Sequence, residues 1–247
     1  MVGMRNSFRY SNRRILLAIG VALCLAPPIA VADDSDTASD EGSAATDQSA
    51  VTSDPGIAAI DAFIAEQNVD KSQGGWKELV KAPPMVQFAL DKSYYWNLDT
   101  NRGDIKIKLM PKVAPYHVGS TIYLTRMGFY DGTKFHRVVT GILAQGGDPT
   151  GTGKGGPGYR YGGEFDPNVK HKKAGIVSAA NIEDNPASDG SQFFITFTRT
   201  PTLDGKHTIF GEVVKGMTTV RRLEKAGSRQ GKPTRRLFIE SATISVQ

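Results

Sequence analysis

Apolar residues at Ile57, Ile60, Phe63 and Ile64 recur at three- and four-residue intervals, so a short amphipathic helix is predicted over Ile57 to Asn68. Trp76, Leu79 and the pair Pro83-Pro84 follow, and suit a segment packed on a larger body. From Tyr94 the spacing changes. Ile105, Ile107 and Leu109 alternate with Lys106 and Lys108 after the turn Asn101-Arg102-Gly103, the signature of a half-buried strand. Pro115 can occupy the first turn of a helix, and Val118, Ile122 and Leu124 carry that helix to Met127, with Gly128 as its stop. Further strands are predicted at Phe135 to Val139, Ile142 to Gly146, Gly175 to Ala179, Gln192 to Thr196, Thr208 to Val214 and Leu237 to Val246. A second helix of this region is predicted over Thr218 to Ala226, ended by Gly227. Many short strands with glycine turns and few helices predict a mainly β fold: a closed barrel with helices over its ends.

The first 55 residues follow neither period. Arg13 and Arg14 precede the apolar run Ile15 to Leu25, and Ala30-Val31-Ala32 supplies small residues, the layout of a secretory signal peptide cleaved after Ala32. A membrane anchor needs about 20 uninterrupted apolar residues, and Pro27-Pro28 breaks this run earlier. A lipid anchor would use Cys24, but the bulky Leu23 precedes it. Asp33 to Pro55 is Asp, Ser, Thr and Ala with almost nothing to bury, and reads as a flexible acidic linker. The organisation expected is therefore a signal peptide (1–32), linker (33–55), helical extension (56–92) and one folded domain (93–247), exported to the periplasm or beyond.

The 247 residues, 39% hydrophobic and 22% charged with 27 Gly and 13 Pro, exclude a coiled coil, a collagen and a wholly disordered chain. The single Cys24 excludes an intrachain disulfide, a multi-cysteine zinc site and an iron–sulfur cluster. Four scattered histidines (117, 136, 171, 207) argue against a metal site. The net charge of +5 divides unevenly: residues 33–54 hold seven acids and no base, and residues 55–247 hold 26 bases against 18 acids. That excess of +8 reads as spread out, which argues against a nucleic-acid partner.

Gly151-Thr152-Gly153-Lys154-Gly155-Gly156 satisfies G-x-G-x-x-G and brushes the phosphate-loop pattern. Pro157-Gly158 follows where a dinucleotide loop must open a helix, and Gly155 stands where a phosphate loop needs Ser or Thr, so a surface loop is expected. No Gly-x-Ser-x-Gly is present, and a hydrolase built on His136 or His207 lacks a placed nucleophile. His136, Phe129 and Tyr130 are expected to pack structurally.

Two longer segments carry more information: FHRVVTGILAQGGDP (Phe135 to Pro149) and GSQFFITFTRTPTLDGKHTIFGEV (Gly190 to Val213). With GFYDG (Gly128 to Gly132) and SAAN (Ser178 to Asn181), they resemble the cyclophilin family of peptidyl-prolyl cis–trans isomerases from about Tyr94 to Val246. The resemblance implies an eight-stranded antiparallel barrel capped by two helices, no cofactor, and proline-containing polypeptides as partners. It implies Arg137 as the catalytic arginine and Gln145 as the residue that orients it. Leu143, Phe194, Leu203 and His207 would wall the proline pocket, Asn181 would pair with the peptide backbone, and Ala180 and Gln192 would line the same groove. Three positions depart from the family. Ile142 replaces the usual Phe, Thr202 replaces a frequent Trp, and the loop Ile182 to Asp189 is longer by two residues, bringing Glu183 and Asp184 toward the pocket for residues before the proline. The expectation is an exported, monomeric isomerase that meets a membrane only during export. The alternative is a proline-peptide binding module or chaperone with weakened turnover.

Overall fold

The computed structural model describes residues 54–181, 185 and 189–247. The signal-peptide reading, nearly all of the linker, and Glu183 and Asp184 lie outside these residues.

Eight strands form one antiparallel sheet: β1 (Tyr94–Thr100), β2 (Gly103–Leu109), β3 (Arg137–Val139), β4 (Leu143–Gly146), β5 (Ile176–Ala179), β6 (Phe193–Thr196), β7 (Ile209–Lys215) and β8 (Ile239–Val246). Their order is β3-β4-β6-β5-β7-β2-β1-β8, and the sheet curls into a half-barrel. The segment leading into β3 meets the start of β8 through the isolated bridge Lys134–Phe238 and three flanking hydrogen bonds, Gly132 N–H to the Ile239 carbonyl at 2.8 Å, Ile239 N–H to the Thr133 carbonyl at 2.9 Å and Phe135 N–H to the Leu237 carbonyl at 3.0 Å. The expectation of a closed barrel is thus met in its strands and their antiparallel pairing, with no strand ladder joining the ends. The physical reason is register: continued antiparallel from Lys134–Phe238, the pairing sets β3 opposite residues 233–235, ahead of β8.

The β1–β2 hairpin sets Trp96 opposite Ile107 and Leu98 opposite Ile105, so the alternation read from the sequence points these side chains into the core. Gly103 at the turn has φ +114°, and a Cβ there would come within 2.9 Å of Thr219 Oγ1. Around Trp96 an aromatic cluster of Tyr130, Phe193, Phe129 and Phe135 fills one end of the interior, with Trp96–Phe193 centroids 4.7 Å apart. Phe129 and Tyr130 therefore pack as expected.

Three α-helices accompany the sheet: α1 (Pro55–Gln67), α2 (Pro115–Arg126) and α3 (Met217–Lys225). The linker boundary moves: Asp54 is buried and caps α1, accepting the Ile57 N–H at 3.0 Å, and Pro55 is its first residue. The cap also bonds Tyr94 OH, tying the helix to β1. Asn68 closes α1 in the left-handed region at φ +46°. Helix α2 is buried from His117 through Thr125, polar residues included. The extension causes this, because α1 covers the face of α2 that would otherwise meet water: Phe63 lies 5.5 Å from Tyr123, and Asp61 pairs with Arg126. Within α2, Thr125 Oγ1 donates to the Thr121 carbonyl and Ser120 pairs with Tyr159, while the buried Tyr123 hydroxyl has no hydrogen-bond partner among the described residues. After α1, Lys77 donates to the Asp131 carbonyl at 2.6 Å and sits over the Trp76 and Phe129 rings, and its partial burial lowers its pKa.

Candidate active site

Strands β4, β5 and β6 are almost wholly buried, because both of their faces are covered. Ala144, Val177, Phe193 and Ile195 turn into the main core, whereas Leu143, Phe194 and Ala180 form a separate small apolar cluster with Leu203 packed on it. Period-two alternation of the strands makes this division. Strand register then sets Arg137 opposite Gln145, Gln145 opposite Phe194, and Phe194 opposite Ser178, a row of side chains across β3, β4, β6 and β5.

Arg137 is exposed at the edge of this row, and its Nη1 donates to Gln145 Oε1 at 3.2 Å. Gln145 Nε2 donates to Gln192 Oε1 at 3.0 Å, and Gln192 Nε2 donates to the carbonyls of Gly153 and Gly155 at 3.0 and 2.8 Å. The two carbonyls can only accept, so they orient the Gln192 amide. That amide in turn orients Gln145, whose oxygen faces the guanidinium.

The glycine-rich loop that supplies those carbonyls is wrapped around Asp148, a fully buried carboxylate. Asp148 accepts the N–H groups of Thr150, Gly153 and Gly155 at 2.7, 2.5 and 3.2 Å. Burial alone would raise its pKa, but the Thr150, Gly153 and Gly155 hydrogen bonds outweigh it and hold the carboxyl below its usual range. A Cβ at Gly155 would lie 2.2 Å from Asp148 Oδ1, so glycine is required there. The amides that a phosphate would need are already taken, which agrees with the expected surface loop.

The apolar cluster is walled by histidines. His207 meets the Phe194 ring edge-on at 5.2 Å, and its Nδ1 donates to the Ala179 carbonyl at 3.1 Å. His171 stacks on Phe194 at 6.1 Å. Its Nδ1 lies 2.8 Å from Asp204 Oδ1 and its Nε2 2.8 Å from Ser178 Oγ. Burial lowers the His171 pKa despite Asp204, so the ring is neutral at pH 7: Nδ1–H donates to the carboxylate and Nε2 accepts from Ser178. Asn181 Nδ2 donates to the Lys206 carbonyl at 3.2 Å, which fixes the chain beyond Ala180. Ile142 is 44% exposed at the rim, and Thr202 is exposed in the short 3-10 turn Pro201–Leu203. The structure therefore brings together Arg137, Gln145, Gln192, Leu143, Ala180, Phe194, Leu203 and His207, and leaves Ile142 and Thr202 at the margin. His136 adjoins Arg137 with both ring nitrogens buried, and burial lowers its pKa.

Sequence reasoning missed the supports of this site. His171 stacks on Phe194 and is itself held by Asp204, and their only signal is that His171 shortly precedes the GIVSAAN segment and Asp204 lies within LDGKH. Gly231 was missed as well: it has φ +86°, and a Cβ there would fall 3.2 Å from Arg137 Cγ. The stem of the arginine lies against that bare backbone.

Residues 95–244 match the family model for cyclophilin type peptidyl-prolyl cis-trans isomerases. The chain is 45% identical over 152 residues to peptidyl-prolyl cis-trans isomerase-like 1 of Gibberella zeae, covering 60% of this chain and 92% of that protein. It is also 45% identical over 166 residues to peptidyl-prolyl cis-trans isomerase A of Mycobacterium tuberculosis, covering 60% of this chain and 90% of that one. Among solved structures, a Cryptosporidium parvum cyclophilin type isomerase crystallised in the presence of the dipeptide Ala-Pro matches at TM-score 0.59 and 36% identity, over 61% of this chain and 98% of that one. A matched segment spanning most of the chain, together with the row of side chains from Arg137 to Phe194, makes this protein a member of the cyclophilin-type peptidyl-prolyl cis–trans isomerase family.

Proposed function

We propose that Arg137 is the catalytic donor of this isomerase, that Gln145 positions it, and that Leu143, Phe194, Ala180 and Leu203 seat the proline ring, with His207 as a wall. Rotation about a peptide bond must break amide resonance, against a barrier of roughly 18–20 kcal/mol. No bond is made or broken, so the reaction needs no nucleophile. At the twisted transition state the prolyl nitrogen regains a lone pair that the planar amide had delocalised. A donor reaching that nitrogen stabilises the transition state and not the ground state. Arginine carries a permanent charge, five N–H donors and no acceptor, and one bond to Gln145 leaves the others available. The apolar niche holds the ring while the preceding residue rotates, and it excludes water that would favour the more polar planar amide.

The observation that carries this reading is the register pairing of Arg137 with Gln145 beside a buried apolar cluster that is separate from the core. The dipeptide present with the Cryptosporidium parvum relative supports proline-peptide substrates here. Asn181, Gln192, Ile142 and Thr202 complete the groove in this proposal. Glu183 and Asp184 tilt it toward basic or polar residues before the proline, and a flat peptide series at that position removes the tilt. The protein works as an exported, bacterial-like monomer, delivered by a signal peptide that is cleaved after Ala32 and carried on an acidic tether, on exported clients whose folding waits on proline.

The test is a proline-limited refolding assay and X-Pro peptide exchange with the wild type and Arg137→Ala. A loss of about 10²-fold or more in kcat/KM is expected, by analogy with removal of a single transition-state donor, with an unchanged thermal midpoint. Equal rates for the two proteins remove Arg137 from the chemistry.

A further inference from the structure

The positive charge of the folded region, expected to be spread out, is concentrated. Residues 221–236 (RRLEKAGSRQGKPTRR) hold seven bases and one acid, a net +6 of the +8 carried by residues 55–247. The one acid is already committed: Glu224 pairs with Arg221 at 2.8 Å and accepts the Gly141 N–H at 3.0 Å. Arg222 donates to the Arg102 carbonyl, and Arg236 lies over the Phe238 ring. Arg229, Lys232 and Arg235 are exposed and hold no hydrogen bond or ion pair among the described residues.

This basic loop is fastened to the strand that carries Arg137. Val138 N–H donates to the Gly231 carbonyl at 2.8 Å, Ser228 N–H to the Val138 carbonyl at 3.1 Å, and Thr140 N–H to the Ser228 carbonyl at 3.2 Å. Gly231, which the Arg137 stem overlies, sits two residues from Arg229 and next to Lys232. Across the sheet the order is loop 227–236, then β3 with Arg137, β4 with Gln145, β6 with Phe194, and β5 leading to Ala180 and Asn181. A peptide whose residues before the proline lie at Asn181 therefore leaves past Arg137, over the loop.

We propose that loop 227–236 is a specificity element for the residues that follow the proline, through which the enzyme prefers substrates with an acidic side chain one or two positions after it. The proposal rests on the placement of the substrate site at Arg137. Unpaired cations at the exit of the groove attract a carboxylate without a desolvation cost, because both partners stay hydrated. The preference is accordingly modest and sensitive to salt.

The test uses the full chain and three peptides identical except for Glu, Gln or Lys in the position after the proline. At low ionic strength kcat/KM for the Glu peptide should exceed that for the Gln peptide by about three- to fivefold, with the Lys peptide below both. The three should converge in about 0.5 M salt, where the screening length falls below about 5 Å. In the double variant Arg229→Gln/Lys232→Gln the Glu-to-Gln ratio should fall to about one, by loss of these same exposed pairs. A wild-type ratio of one, with turnover abolished in Arg137→Ala, overturns the charge preference and keeps the site. Full turnover in Arg137→Ala removes the site and this proposal with it. A Glu preference that persists in the double variant overturns the assignment to this loop. Heparin or oligonucleotide binding that depends on Arg229 and Lys232, combined with a ratio of one, makes the loop a polyanion surface and overturns the proposal.

Discussion

Strands β4, β6 and β5 are two-sided, and their two faces do different work. Toward the interior, Phe193, Ile195, Ala144 and Val177 join a core that includes Trp96, Tyr130 and Phe135. Toward the outside, Phe194, Leu143 and Ala180 form a patch of three buried residues, with Leu203 at its lip. Neighbours in sequence thus have opposite duties: Phe193 is held by other aromatic rings, and Phe194 is held between two histidines. A core can be built from apolar contact alone, whereas a niche that must stay open needs polar struts behind it.

Truncating each phenylalanine exposes this contrast most strongly. Phe193→Ala should cost about 3–5 kcal/mol of stability, as expected for a large buried aromatic, and chemical denaturation will measure it. Phe194→Ala should lose roughly half that stability or less on the same scale, yet lower kcat/KM by about tenfold or more, since about 1.4 kcal/mol of binding in the transition state suffices for that. Equal stability losses with intact turnover in Phe194→Ala would erase the distinction between the faces.

The buried histidines offer a second, smaller probe. His117, away from the niche, bridges Glu164 at 2.6 Å and Asp189 at 2.8 Å. Burial pushes its pKa down, but bonds to two carboxylates prevail and the net direction is upward; His171, with one carboxylate and a hydroxyl, goes downward. For His117 the folded pKa exceeds the unfolded one, so its stabilisation is complete below about pH 6.5 and is lost as pH rises through the folded value. His117→Gln should flatten that alkaline fall in denaturant midpoint, while His171→Gln should not. Each unit of pKa separation corresponds to about 1.4 kcal/mol. An alkaline profile unchanged in His117→Gln would detach the fall from this bridge.

The smallest effect concerns the rim. Ile142→Phe restores an aromatic ring at a position that is 44% exposed and should tighten KM for X-Pro peptides by about two- to threefold, with little change in melting, as a partly buried ring adds only part of its burial energy. An unchanged KM would place the substrate away from Ile142.

Much of this was readable from residue order. The alternation at Ile105, Ile107 and Leu109 located β2, Pro115 marked the start of α2, and the FHRVV and AQGGD segments pointed to Arg137 and Gln145. Other features depend on contacts between distant segments. Asp54 looks like the end of an acidic linker until Tyr94 and Ala89 are seen beside it. Helix α2 should have one wet face, but α1 covers it. A lone His171 has no local pattern, and its partner Asp204 is 33 positions away. The basic stretch at 221–236 was legible yet diluted when charge was averaged over the whole folded region.

The turn around Asp148 carries one more implication. A string of glycines usually advertises room for a visiting anion, but here the guest is built into the chain and cannot diffuse away. Phosphate or nucleotide added to a turnover assay must compete with a tethered carboxylate whose effective concentration is of millimolar order or higher. Such additives should leave the enzyme indifferent, and because the same turn anchors Gln192, acid strong enough to protonate Asp148 should slacken the Gln145 clamp before the sheet itself lets go.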